Sequence, residues 1–181
     1  MSRLPTWVLA AIGLWCGCHV SPPENELTSR IMSAETELAP LLESEFDALP
    51  ERGEALVQGL LRDYAVYANA HHGDSLALQY SMKRADLLLA KGDAEAAIQQ
   101  WIDVVGASVG EALASEAMFR IGLAREVALA DTVGALKAYS ELLRLYPGGC
   151  WAEEAREAAK WLTFNEREFI RALESDAESR Q

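Results

Sequence analysis

A chain of 181 residues has length for one hydrophobic core and little room for two. Its 28 acidic against 16 basic side chains leave a net charge of -12, which argues against a nucleic-acid partner, since phosphate binding needs an excess of Lys and Arg. Half the residues are hydrophobic while Gly and Pro number 12 and 6, a mixture that suits packed helices better than disorder or a β-sandwich.

The N-terminus has the layout of an export signal. Arg3 supplies a short positive region, and Leu4 to Trp15 form an apolar run that is too short to span a bilayer as a helix, which takes about 20 residues. "GLWCGCHV" closes this run. Only Gly17 separates Cys16 from Cys18, so the two-residue spacing of a c-type haem site before His19 is missing. A zinc site would need a further ligand pair, and none stands nearby. The stretch resembles a bacterial lipobox, with Gly17 as the small residue before the modified cysteine. Trp15 and Cys16 depart from the pattern, and Leu14 sits one place early. The resemblance implies lipidation at Cys18 and, because His19 rather than Asp follows, an outer-membrane lipoprotein facing the periplasm. An ordinary cleaved signal and an uncleaved apolar tail are the alternatives. Residues 1–17 are then a signal peptide and residues 18–30, with their "SPPENELTSR" segment, a polar tether.

From residue 28 the pattern is helical and no strand-like alternation persists. Gly73 and Gly92 read as helix stops, each followed by an N-capping aspartate, Asp74 and Asp93. Asp131 caps another start, Pro147 ends a helix, and Asn165 is expected to begin a last one. The punctuation predicts helices over 28–46, 52–71, 75–91, 94–106, 110–129, 132–146, 151–163 and 166–176.

Small and aromatic residues recur along these helices. Ala97 and Trp101 are matched by Ala135 and Tyr139, and Asp93 by Asp131, each at a shift of 38. Ala117, Ile121 and Ala124 are matched at the same shift by Ala155, Ala159 and Leu162. Met82, Ala85 and Leu89 precede Ile121, Ala124 and Ala128 by 39, and Leu60 and Tyr64 precede Ala97 and Trp101 by 37. A period in this range points to stacked helical hairpins. The run from Ala135 through Tyr139 to Pro147 resembles the second helix of a tetratricopeptide repeat, and "GDAEAAIQQW" resembles the turn and second helix of the one before. The period is longer than the usual ~34 residues, and of the first-helix signature only Gly122 is near its expected place. Longer repeats of this kind are similar to those of envelope lipoproteins such as BamD-like assembly factors and Tol-Pal accessory proteins. The resemblance implies an all-α fold of antiparallel hairpins over residues 31–178, stacked as a short right-handed tetratricopeptide-like solenoid with flanking terminal helices.

Catalytic chemistry finds little footing in the sequence. His71 and His72 are adjacent on a helix end and point apart, no glycine-rich phosphate loop follows a strand, and no serine sits in a nucleophile elbow. Glu-rich segments alternate with Lys and Arg at helical spacing and read as solvated faces. No cofactor and no small-molecule substrate are expected, and Cys150, beside Trp151, is expected to be buried.

A binding surface remains. With Met82, Ala85 and Leu89 toward the core, Tyr80, Arg84 and Leu87 face elsewhere, and Phe119, Leu123 and Trp161 take the matching places later in the chain. These residues either meet a partner or seat a terminal helix. Trp101, Tyr139, Tyr64 and Trp161 at helical spacing are expected to pack in the core. The sequence therefore suggests a non-catalytic scaffold or adaptor for other envelope proteins, held to the membrane by lipid. The alternative is a soluble periplasmic protein that binds unfolded clients.

Overall fold

A computed structural model of the chain describes residues 26–43, 50–108 and 110–178. Among them are seven α-helices and no strand: α1 (Glu26–Glu43), α2 (Glu51–Ala70), α3 (Ser75–Ala90), α4 (Ala94–Ala107), α5 (Glu111–Val127), α6 (Thr132–Leu145) and α7 (Ala152–Glu178). The described residues are all-α, with α1 packed on α2, α2 on α3, α5 on α6 and α6 on α7.

The punctuation follows local chemistry. Gly73 and Gly92 adopt φ of 83° and 88°, a left-handed conformation open to glycine and costly for other residues. Asp74 accepts from the Leu76 amide at 3.0 Å, and Asp93 from Ala96 at 3.2 Å. Asp131 accepts from Gly134 at 2.8 Å while also holding Arg125, so one carboxylate caps α6 and ties it to the end of α5.

Two expected boundaries differ. The polar tether was expected to reach residue 30, yet α1 begins at Glu26 and buries Thr28 and Ile31 almost completely. Asn165 does not start a new helix, because α7 runs unbroken from Ala152 to Glu178. Asn costs roughly less than 1 kcal/mol in a helix interior, and the good helix formers Glu166 and Arg167 follow it. Thr163, just before, returns its hydroxyl to the Ala159 carbonyl at 2.8 Å and so adds no unmet polar group.

The chain divides into two compact units, the first ending at Gln100 and the second starting at Trp101. In the first, residue pairing fixes the direction of the helices. Arg30 of α1 meets Asp63 of α2, while Glu37 further along α1 meets Arg52 earlier in α2, so the two run antiparallel. Tyr64 and Tyr67 of α2 lie against Tyr80 of α3, and Arg84 reaches back to Leu61, so α2 and α3 are antiparallel as well. Ile31, Leu38, Leu60, Tyr64, Tyr67 and Tyr80 build the core between them.

In the second unit α5 and α6 run antiparallel, with Arg125 at Asp131 and Gly122 against Tyr139. Met118, Ala135, Tyr139 and Leu142 pack with Ala155 and Leu162 of α7. Burying such side chains stabilises by about 1.5–3 kcal/mol for each large one, and this burial sets the pairing of the helices.

Candidate functional site

The residues expected to repeat on a partner face do not share one environment. Tyr80 is buried, 3% exposed, stacked on Tyr64 at 5.2 Å and edge-on to Tyr67 at 4.9 Å. Arg84 is half-buried and donates to the Leu61 carbonyl and to Gln100. Leu87, placed outward by the same argument, is buried too. The reason lies in α3 itself: "SLALQYSMKRADLLLA" carries apolar residues all round, and such a helix is covered on more than one side.

In the second unit Phe119 stacks on Trp151 at 4.9 Å and tilts against Tyr139 at 5.7 Å, which makes it packing material, and Leu123 is half-buried. Trp161 was expected both to pack and to face a partner. It is 60% exposed, beside an equally open Phe164. Tyr80 and Phe119 thus leave the candidate face, and Trp161 leaves the core. The residues expected to pack between hairpins are buried, with Ala97 and Ala135 at 0%, Trp101 at 1% and Tyr139 at 0%. Pro147 follows α6 and is exposed. Cys150 was expected to be buried and is exposed, since it sits in the turn after Pro147, Gly148 and Gly149 rather than on a helix face. Cys18 lies outside the described residues.

Two carboxylates cross-link helices through phenols. Glu35 of α1 accepts from the Tyr64 hydroxyl at 2.6 Å and from Lys83 Nζ of α3 at 2.8 Å. Burial, followed by the charge and hydrogen bond of Glu35, pushes the Tyr64 phenol far above its ordinary range. Glu126 accepts from Tyr139 at 3.0 Å, and burial followed by that carboxylate raises Tyr139 in the same direction. Phenols held this firmly protonated fasten helices and make poor proton donors to a ligand. His71 and His72 turn Nδ1 to the carbonyls of Tyr67 and Ala68, both at 3.0 Å, and so finish α2. Among the described residues no three of His, Cys, Asp and Glu gather as metal ligands, and no helix is long and apolar enough to cross a membrane.

A feature not anticipated from the sequence lies between α1 and α2. An open groove of about 480 Å³ is bordered by three arginines, Arg30, Arg52 and Arg62, in a chain that is otherwise strongly acidic. Ala34, Ala55, Leu56, Gly59 and the acidic Asp63 complete its lining. Arg30 is fixed by a two-pronged pair with Asp63 at 2.7 and 2.8 Å, and Arg52 by Glu37. Arg62 is exposed, and its charge helps to hold the neighbouring Asp63 carboxyl below its usual range. Nothing lies within 4 Å of where a Cβ on Gly59 would be, so the missing side chain leaves room rather than avoiding a clash. The signal was present in α2, where Arg52, Ala55, Gly59 and Arg62 follow helical spacing along one stripe.

No protein-family model matches the chain, and neither a curated protein nor a solved structure matches it.

Proposed function

We propose that the protein is a non-catalytic binding scaffold, tethered to the outer membrane of a bacterial envelope through an acylated Cys18, whose tetratricopeptide-like hairpins present a surface to another envelope protein. One observation carries the hairpin-repeat part of this reading. Three pairs of positions 38 apart are equally deep: Ala97 and Ala135, Ala117 and Ala155, and Trp101 and Tyr139 are each at most 1% exposed. Ala85 and Ala124, 39 apart, are both at 0%. Small residues at equivalent depth let helices approach closely, and an aromatic at the next turn fills the space beside them. The lipobox-like "GLWCGC" supports the address. Two or more acyl chains hold a protein at a membrane stably, and confinement there raises local concentration enough for a weak contact to suffice.

The test is the mass of the N-terminal peptide of protein recovered from cell membranes, combined with photo-cross-linking in the same cells. A peptide that begins at acylated Cys18, with a stoichiometric cross-linked protein, supports the scaffold. A peptide that begins at Met1 removes the anchor. Diffuse cross-linking to many unfolded clients returns the function to a chaperone-like one.

A further inference from the structure

We infer that one end of the first unit, formed by the start of α1 and the α2–α3 turn, is held against the lipid surface by a short tether, an inference that rests on the lipid anchor proposed at Cys18. The length of chain between anchor and fold carries it. Glu26 already opens α1, and Thr28 and Ile31 just after it are buried, so eight residue steps separate Cys18 from a packed helix. Fully extended, that stretch reaches about 28 Å at most. A tether running through residue 30 would reach about half as far again.

Helix pairing says which residues share that end. Arg30 meets Asp63 late in α2 and Glu37 meets Arg52 at its beginning, so Glu26 stands by the last turns of α2, far from Pro50. From Glu51 to Ala70 the α2 axis runs about 28 Å. Standing the unit on its Pro50 end would lift Glu26 about 20 Å along that axis and use up most of the reach. Lying flat is within reach, but it lays the long flanks of a chain at -12 along the membrane, where anionic lipid repels them. End-on, the turn from Ala70 to Ser75 offers one carboxylate, Asp74, and the start of α1 adds Glu26. The turn holds no Lys, no Arg and no large apolar side chain, so the tether places it at the lipid without insertion or charge attraction. A partner is left the flanks and the Pro50 end, all within about 60 Å of the lipid.

Protein purified from membranes and reconstituted in vesicles of phosphatidylcholine and phosphatidylglycerol tests this. In a Cys150→Ser background, one fluorophore is attached at Ala70→Cys or at Glu51→Cys, both exposed and at opposite ends of α2, and a quencher is carried on the lipid headgroup. The probe on Ala70→Cys should be strongly quenched and the probe on Glu51→Cys weakly. A Gly/Ser insert of about 20 residues after Ser21 lets the unit turn over and should abolish the difference. Equal quenching without the insert, or stronger quenching of the Glu51→Cys probe, overturns the orientation. A difference that survives the insert overturns the tether as its cause. The mass of the N-terminal peptide of the same sample keeps the two readings apart. Acylated protein with equal quenching overturns the orientation alone, whereas protein without acyl chains removes the anchor and the orientation with it.

Discussion

The ring of Tyr139 lies directly over Gly122, so close that a methyl group on the glycine would sit 2.7 Å from Cδ1 and 2.9 Å from Cζ. The helices α5 and α6 meet at this point, and the fully buried ring fills the space that the glycine leaves. Gly122→Ala should therefore destabilise the fold by about 1–3 kcal/mol through overpacking, offset in part by the better helix propensity of Ala. In a Tyr139→Val background the same change should cost little or become favourable. Denaturant melts of the four proteins give the coupling, and additivity would mean the two residues do not meet.

Gly59 predicts the opposite sign. With open space above it, Gly59→Ala should stabilise by about 0.5–1 kcal/mol, read as a higher denaturant midpoint with an unchanged slope. A loss of stability would mean that the groove floor is already occupied.

The buried tyrosines set the alkaline limit. Burial first, and Glu35 second, push Tyr80 up to about 12, and Tyr64, Tyr67 and Tyr139 are raised as well. Each unfolded phenol ionises near pH 10, roughly, while the folded one keeps its proton, so stability is whole below that pH and falls as pH rises toward the folded value. For Tyr80 the window is about pH 10 to about 12, with a slope of about 1.4 kcal/mol per pH unit for each raised group. Tyr64→Phe should flatten this limb. An unchanged alkaline slope would show that Tyr64 is not buried against Glu35.

At the acid end, Arg30 holds the Asp63 carboxyl below its usual value, so the pair contributes above the unfolded carboxylate range and its contribution is lost as pH falls through the folded value. Asp63→Asn should make stability less sensitive to pH below about 4 and loosen α1 from α2. Stability profiles of the two proteins that coincide in acid would remove Asp63 from this role.

Exposure of Cys150 predicts that a maleimide labels it in the native protein without denaturant, as located by peptide mapping. Protection until unfolding would restore the expectation of burial.

Local signals in the sequence translated well into structure. Gly73, Asp74, Gly92, Asp93 and Asp131 each act within a few residues of themselves, so their chemistry needs no tertiary context. The burial of Ala97, Trp101, Ala135 and Tyr139 was also legible, because core spacing is written in one helix at a time. Outward faces were not. Whether Tyr80 or Phe119 meets solvent depends on a third element packed against the far side, and nothing in α3 or α5 alone announces it. The groove was hidden for a similar reason, since Arg30 and Ala34 come from one segment and the remaining lining from another.

Glu35 receives hydrogen bonds from two other helices at once, Tyr64 on α2 and Lys83 on α3. Peeling α1 away would break both bonds and leave the buried Tyr64 hydroxyl without Glu35, so its departure carries the cost of disturbing its neighbours. The three helices should consequently exchange their amide hydrogens as one cooperative block, with α1 opening on the same timescale as α2 and α3 rather than fraying ahead of them.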